Sequence, residues 1–213
     1  RSVRNDVEPS NDIAYFSMGG GSGSGKTHLC EMLLHTKPNK IEDSNLQALA
    51  TRIQAASPIV TDYEPVRRGL IKGIDANYYQ GDKLIDPRLR DLVHYEVSCT
   101  LTAVLHNAIA KSFSFLMDWT SAGGAVGQFR NLRERAKDIG KNLKVVMVAT
   151  TADIGLALER KAAEYARTNE FQTVRGVLAS HQGFAKCFAD ITQEVDELYL
   201  FDTSRGKHEL IAR

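Results

Sequence analysis

The stretch at residues 20–27 reads Gly20-Gly21-Ser22-Gly23-Ser24-Gly25-Lys26-Thr27 and separates two apolar segments of different periodicity. Before it, residues 13–18 form a short apolar run of the length of a buried strand. After it, Leu29, Met32 and Leu33 recur at the spacing of one helix face. The order is therefore strand, glycine-rich loop, helix, and the loop matches the pattern G-x-x-x-x-G-K-S/T in full.

These residue types suit a loop that surrounds phosphate groups. Glycine allows positive φ and a close approach of the backbone, and N–H groups at a helix N-terminus attract an anion. The lysine reaches the β- and γ-phosphates, and the hydroxyl after it binds Mg²⁺. A flexible glycine–serine linker is the alternative, but the flanking strand and helix argue against it. The residues expected to bind ATP with Mg²⁺ are Gly20, Gly21, Ser22, Gly23, Ser24, Gly25, Lys26, Thr27 and His28.

The same loop occurs in kinases, ATPases and GTPases. A GTPase usually carries an N-K-x-D segment that recognises the base, and this sequence has none. A transport or motor ATPase is usually larger than 213 residues. Exclusion of these classes favours a kinase.

Composition places the chain among ordinary globular proteins. The 213 residues suit a single domain, 1–213, and the net charge of +1 gives no reason to expect nucleic acid or membrane partners. Three widely spaced cysteines argue against a zinc or disulfide framework and fit a reducing, cytoplasmic compartment. Residues 1–11 are polar and are expected to form a flexible N-terminal segment.

Apolar periodicity predicts an alternation of strands and helices along the rest of the chain. Helices are predicted at 41–56, 88–110, 127–139, 152–166 and 176–189, and strands at 69–74, 112–117, 144–149 and 197–201, the last paired with 208–212. Alternation of this kind predicts an α/β, P-loop NTPase fold, with a parallel sheet between helices on both faces. Ligands then bind at the carboxyl ends of the strands.

Polar residues after two of the predicted strands are candidates for the chemistry. Asp118 ends a strand and is followed by Thr120, so Asp118 can help to hold Mg²⁺, although a capping role is the alternative. Arg160 and Arg175 follow the strongest strand, in a region that is often a lid in small P-loop kinases. A solvated surface is the alternative for both arginines, and Arg167 competes for either role.

An acceptor hydroxyl needs a base or an orienting carboxylate. Asp75 follows the predicted strand 69–74 and would lie beside the phosphate loop if that strand neighbours the first. Glu96 lies on the next predicted helix, whereas His94 is more readily explained as a structural residue.

Taken together, the segments resemble the zeta-toxin family of P-loop kinases from about Phe16 to Phe201. Four parts carry the resemblance: the phosphate loop, residues 70–79, residues 94–98 with 118–120, and residues 158–160 with 174–177. The resemblance implies that Lys26, Arg160 and Arg175 bind ATP phosphates and stabilise the transition state. It implies that Thr27 binds Mg²⁺, and that Glu96 and Thr120 contact the acceptor.

The family also implies acceptors and partners. Its members phosphorylate UDP-N-acetylglucosamine, and related effector kinases phosphorylate the ribose of NAD. Toxin members are held inactive by a small antitoxin, so an antitoxin or chaperone partner is expected, and an effector would be delivered into a host cell.

Two departures stand out. The family usually has an aspartate where this chain has Asn77, so Asp75 takes over, the alignment slips, or the catalysis differs. Asn77 is retained as a substrate-binding candidate. Residues 37–68 look longer than the usual connection and are interpreted as an inserted helical segment.

The sequence thus predicts an ATP-dependent small-molecule kinase of zeta-toxin type, which phosphorylates a sugar or ribose hydroxyl of a nucleotide-like substrate. Two alternatives are a nucleoside or nucleotide kinase of another P-loop family and a nucleotide-binding module without turnover.

Overall fold

The computed structural model describes residues 12–81 and 83–213. The segment 1–11, expected to be flexible, lies outside the described residues. Within the described ranges, none of the helices combines the length and apolar composition that crossing a bilayer requires.

The described residues form eight strands and eight α-helices, which alternate over much of their length. The strands are β1 (Asp12–Gly19), β2 (Ile59–Asp62), β3 (Tyr79–Gln80), β4 (Lys83–Leu84), β5 (Phe115–Asp118), β6 (Asn142–Thr151), β7 (Glu197–Asp202) and β8 (Glu209–Ala212). The helices are α1 (Lys26–His35), α2 (Ser44–Ala56), α3 (Tyr63–Ile74), α4 (Leu89–Leu92), α5 (His94–Ala110), α6 (Ala125–Asp138), α7 (Ile154–Thr168) and α8 (Val174–Glu194).

Six of the strands form one sheet in the order β2-β5-β1-β6-β7-β8, and β3 pairs with β4 in a separate hairpin. Neighbours from β2 to β7 are parallel, which confirms the predicted parallel sheet. Strand β8 pairs with β7, as expected for 208–212, and is antiparallel to it. Because β1 lies between β5 and β6, the loop after β1 emerges at the centre of the sheet edge where the parallel strands end. This is the position at which α/β sheets bind ligands.

Helices cover the sheet on both faces, which confirms the predicted α/β class. On one face, α5 and α6 pack with the odd-numbered side chains of β1, such as Tyr15. On the other, α1 and α2 pack against Phe16 and Met18. The strands are therefore buried on both sides, which explains why β1 and β6 read as continuous apolar runs rather than alternating ones.

One predicted strand is wrong. Residues 69–74 belong to helix α3, and the strand of this region is β2, which precedes that helix. Arg67 and Ile71, four residues apart, are buried on one side of α3, so the apolar positions follow a helical period. The Asp62 side chain accepts from the Glu64 N–H and caps α3.

The other elements differ from expectation mainly at their ends. The long helix predicted at 88–110 is divided into α4 and α5 at Val93. The helix predicted at 41–56 begins at Ser44, because Asp43 caps it by accepting from the Leu46 N–H at 2.8 Å. Residues 37–68 contain α2, β2 and the start of α3. Their interpretation as an insertion stays a prediction.

Candidate nucleotide and acceptor site

The phosphate loop joins the central strand β1 to α1 and depends on three glycines with positive φ. These angles are +132° at Gly20, +77° at Gly23 and +89° at Gly25. Gly25 is the N-cap of α1, and no side chain caps this helix. The first N–H groups of α1 are therefore directed along the loop, as an anion site at a helix N-terminus requires.

Lys26 is buried within this loop. Its Nζ donates to the carbonyl oxygens of Gly20 at 3.0 Å and Gly21 at 2.8 Å. Burial lowers the pKa of Lys26 to about 8, while the nearby charge of Asp118 opposes that shift. A cation held over the loop by its own carbonyls is placed to attract a phosphate group.

Thr27 and Asp118 meet where β5 ends beside α1. The Thr27 hydroxyl donates to Asp118 Oδ2 at 2.8 Å. Burial raises the pKa of Asp118, whereas the charge of Lys26 and the Thr27 hydroxyl lower it. A hydroxyl and a carboxylate are ligands that suit Mg²⁺, which otherwise keeps water and phosphate oxygens. The described residues include no cluster of three or more His, Cys, Asp or Glu side chains that could hold a metal by themselves.

Asp62 is a site residue that the sequence reasoning missed. It ends β2 and is the direct register partner of Asp118 on the neighbouring parallel strand. Burial raises the pKa of Asp62 to about 6, and the charge of Asp118 adds to that shift, while the Glu64 N–H opposes it. The β-branched run Ile59-Val60-Thr61 before an acid was the signal that could have revealed this strand end.

Asp75 and Asn77 lie elsewhere. Asp75 follows the last residue of α3, whereas Asp62 precedes the first. A helix of 12 residues rises about 18 Å, so α3 separates the two aspartates by about that distance. Asp75 is exposed and accepts from the Asn77 N–H at 2.8 Å, which caps a short 3₁₀ turn. The strand that would have placed Asp75 beside the phosphate loop is absent from this position.

Arg160 extends from α7 to the phosphate loop. Its Nη1 donates to the Gly23 carbonyl at 3.1 Å and to Thr203 Oγ1 at 3.0 Å, and its Nη2 donates to the Thr203 carbonyl at 2.9 Å. The Thr203 hydroxyl in turn donates to the Ser24 carbonyl at 2.8 Å. Thr203, just after β7, is a second residue that the sequence reasoning missed, and it braces the loop together with Arg160.

Ser22 of the phosphate loop is hydrogen-bonded to helix α8 and the segment before it through its N–H, its hydroxyl and its carbonyl. The Ser22 N–H donates to Ser180 Oγ at 2.8 Å, and its hydroxyl donates to Gln172 Oε1 at 2.6 Å. The Nε2 of His181 lies 2.8 Å from the Ser22 carbonyl oxygen, which it reaches as a donor. Arg175 is exposed in the first turn of this helix.

Thr120 and Glu96 are the remaining acceptor candidates. The Thr120 carbonyl accepts from the Gly20 N–H at 3.2 Å, so this residue adjoins the phosphate loop. Glu96 is exposed in the first turn of α5. The structure shows no contact between Glu96 and the loop.

A groove of about 490 Å³ lies between the start of α2 and the turn that joins β7 to β8. His208 lines it and stacks on His28 of α1, with ring centroids 5.3 Å apart. Burial, with His28 and Arg160 nearby, lowers the pKa of His208.

Replacement of Gly23 tests the loop geometry directly. In Gly23→Ala, the new Cβ would lie 2.4 Å from the Ala157 carbonyl oxygen, at a φ of +77° that costs an L-residue about 1–2 kcal/mol. We expect a lower Tm and loss of ATP binding, measured by thermal unfolding and calorimetry. In the control Gly127→Ala, within α6, nothing lies within 4 Å of the new Cβ, and Tm should rise slightly. A Gly23→Ala protein that binds ATP normally would contradict this description of the loop.

Comparisons with known proteins bear on the fold. No protein-family model matches the sequence, and no curated protein matches it. A candidate kinase from Chloroflexus aurantiacus j-10-fl matches with a TM-score of 0.57 and 12% identity, over 91% of this chain and 87% of that one. The PezAT chromosomal toxin–antitoxin system of Streptococcus pneumoniae matches with a TM-score of 0.60 and 10% identity, over 98% of this chain and 73% of that one. These likenesses show that the chain shares the α/β P-loop fold of these structures.

A third structure with a similar fold is the AvrRxo1-ORF1:-ORF2 complex with ATP. It matches with a TM-score of 0.61 and 15% identity, over 94% of this chain. This chain spans 58% of the AvrRxo1 chain's length. Structural likeness at identities this low shows the fold alone, so the chemistry must be argued from the site itself.

Proposed function

We propose that the protein is an ATP-dependent kinase that phosphorylates a sugar or ribose hydroxyl of a nucleotide-like small molecule. One observation supports this above the others. The carboxylates of Asp62 and Asp118 end neighbouring parallel strands, and Thr27 of the phosphate loop donates to Asp118. Asp118 lies beside the loop, and Asp62 lies one strand further out. The two carboxylates therefore provide separate positions for Mg²⁺ and for an acceptor hydroxyl.

On the donor side, the loop amides and Lys26 bind the phosphates of ATP. Thr27 and Asp118 hold Mg²⁺, which supplies neutralisation of phosphate charge when it is bound. Arg160, already attached to Gly23, stabilises the loop, and Arg175 at the start of α8 adds positive charge as the phosphoryl group is transferred. The base of ATP stacks near His28 in the groove that His208 lines.

On the acceptor side, Asp62 orients the hydroxyl and accepts its proton. Its half-buried position and its raised pKa of about 6 suit a general base at neutral pH. Thr120 and Glu96 contact the remainder of the acceptor. Asp75 and Asn77, at the far end of α3, take no part in proton transfer, since about 18 Å of helix separates them from Asp62.

A defined acceptor panel tests the proposal. The protein, ATP and Mg²⁺ are incubated with UDP-N-acetylglucosamine, NAD or a nucleoside monophosphate, and the products are separated by mass. Phosphorylation of either of the first two is the expected result. A preference for the nucleoside monophosphate would instead indicate a nucleotide kinase of another family, and tight ATP binding with no acceptor phosphorylated would indicate a binding module.

A protein partner is also proposed. The two structures with this fold named for AvrRxo1-ORF1:-ORF2 and for PezAT are a two-protein complex and part of a toxin–antitoxin system. We therefore expect an antitoxin or chaperone to bind this kinase, which co-purification with the product of a neighbouring gene would test.

The pH dependence of kcat/KM reports on Asp62. Because only the ionised carboxylate accepts a proton, kcat/KM should fall about tenfold per pH unit below the folded-state pKa of about 6 and level off above it. Steady-state rates between pH 5 and 8 measure this limb. In Asp62→Asn, the remaining activity should no longer show this fall of kcat/KM at low pH. A fall that persists unchanged in this variant would assign the titration to another group.

A further inference from the structure

A buried ion pair joins the α7–α8 connection, residues 169–173, to helix α3. Arg67 Nη2 lies 2.5 Å from Glu170 Oε2, and each side chain is only 2% exposed. Arg67 also pairs with Glu64, one turn earlier on α3, and Arg90 Nη1 lies 4.0 Å from Glu170 Oε2. Arg67 is among the largest completely buried side chains of the described residues.

This cluster is poorly suited to stabilising the fold. Among the described residues, five buried side-chain atoms lack a hydrogen-bond partner, and four of them belong to it: Glu64 Oε1, Arg67 Nε, Arg90 Nη1 and Glu170 Oε1, the fifth being Tyr79 OH. Burial and the adjacent Glu64 also raise the pKa of Glu170 to about 7. An incompletely paired buried charge costs stability, and apolar side chains of similar size would serve the fold at least as well.

The contacts of the connection suggest another purpose, because consecutive residues attach it to different parts of the site. Asn169 Nδ2 donates to the Leu84 carbonyl at 2.7 Å, and Glu170 binds Arg67. Two residues later, Gln172 Oε1 accepts from the Ser22 hydroxyl of the phosphate loop at 2.6 Å. The connection therefore bridges the β3–β4 hairpin and α3 to the phosphate loop.

The geometry places both ends of the candidate reaction next to this bridge. Helix α3 begins immediately after Asp62, which caps it. Helix α8 begins at Val174, immediately after the connection, and carries Arg175 in its first turn. The contact between α3 and Glu170 therefore connects the helix that begins after Asp62 with the segment that leads into Arg175.

We propose that Arg67 and Glu170 are a positioning pair, which holds the α7–α8 connection and Arg175 in register with Asp62 and the phosphate loop. This inference rests on the proposed kinase function. Neither residue touches ATP or the acceptor. Their effect is on the alignment of groups that do, and misplacement of such groups by 1 Å can cost about a hundredfold in rate.

The test replaces both charges together, so that neither remains buried without its partner. In Arg67→Met with Glu170→Leu, apolar side chains of similar size occupy the same space, and Glu64, which is 38% exposed, can be hydrated. The matched control is Arg130→Met with Glu194→Leu. It removes a pair of the same chemistry and the same 2.5 Å distance between α6 and α8, away from the site.

Three readouts are compared between the double variants: kcat and KM for ATP, Tm, and hydrogen exchange of the amides at 169–176. For Arg67→Met/Glu170→Leu we expect kcat to fall about tenfold to a hundredfold, with KM for ATP within twofold of the parent. Tm should stay near that of the parent, and exchange at 169–176 should accelerate. The control should change none of these quantities at the site.

Unchanged kcat would show that the pair is structural, and unchanged exchange would show that it does not hold the connection; either result overturns the proposal. The exchange measurement needs no acceptor. If the parent protein phosphorylates no acceptor, the proposed function fails, while exchange at 169–176 still decides whether the pair anchors the connection.

Discussion

Replacing Asp62 by Asn should reduce phosphoryl transfer by about 10²–10⁴-fold, because an amide cannot take the proton of the acceptor hydroxyl. The change is conservative in every other respect. Asn is as good an N-cap as Asp, so its amide oxygen can still accept from the Glu64 N–H and keep α3 in place. We therefore expect Tm and ATP affinity near the parent values, measured by thermal unfolding and calorimetry, with kcat alone strongly reduced.

Asp75→Asn is the matched control for this experiment. Asp75 also caps a short helical turn, through the Asn77 N–H, so the two substitutions perturb the backbone in the same way. Asp75→Asn should retain activity within about twofold, since Asp75 is exposed at the other end of α3. Loss of activity in Asp75→Asn with retention in Asp62→Asn would reverse the assignment of the base.

Replacing Lys26 by Ala should lower kcat/KM by at least about 10²–10³-fold, the usual effect of removing one strong donor to a developing charge. The Lys26 ammonium is held over the loop by hydrogen bonds to the Gly20 and Gly21 carbonyls. No other side chain of the loop carries a positive charge. Lys26→Met, which keeps the apolar stem, should lose as much activity. Rates at saturating ATP and Mg²⁺ measure both variants.

An exposed lysine provides the comparison. Lys186→Ala on α8 removes the same charge from a solvated position and should leave kcat/KM within about twofold. Activity of Lys26→Ala comparable to that of Lys186→Ala would mean that the phosphate loop does not carry the reaction.

The phosphate loop and the central strands could be predicted from the sequence because each has a local signal. Residues 20–27 combine a strict pattern with a strand and a helix in fixed order, and the run 144–149 is apolar enough to be buried on both faces. These segments are β1, α1 and β6 in the structure. The positions of Thr27 and Asp118 could be predicted as well, because Thr27 belongs to the loop that follows β1 and Asp118 ends β5.

The strand next to β5 was misplaced in the sequence analysis because its signals depend on the neighbouring strands. Residues 69–74 are apolar over a length that suits either a short strand or part of a helix, and periodicity alone does not separate the two. Strand β2 is only four residues long and pairs at the sheet edge, so it has little apolar signal of its own. Its partner β5 gives Asp62 its place beside Asp118, and sequence spacing does not reveal that pairing.

The long-range contacts of α7, α8 and the connection between them could not be predicted from the sequence either. Glu170 in a polar connection would ordinarily be solvated, yet Arg67 buries it. The contact of Arg160 with phosphates stays a prediction, but its contacts with Gly23 and with Thr203, after the last parallel strand, could not be read from the sequence.

The most direct test of the central claim is mass spectrometry of a metabolite extract incubated with the protein, ATP and Mg²⁺, in parallel with Asp62→Asn and Asp75→Asn. We predict one nucleotide-like metabolite that gains the mass of a phosphate with the parent protein and with Asp75→Asn, and that is strongly reduced with Asp62→Asn. If no metabolite gains a phosphate although the protein binds ATP, or if Asp62→Asn produces as much product as the parent, the assignment of a kinase with Asp62 as its base is contradicted.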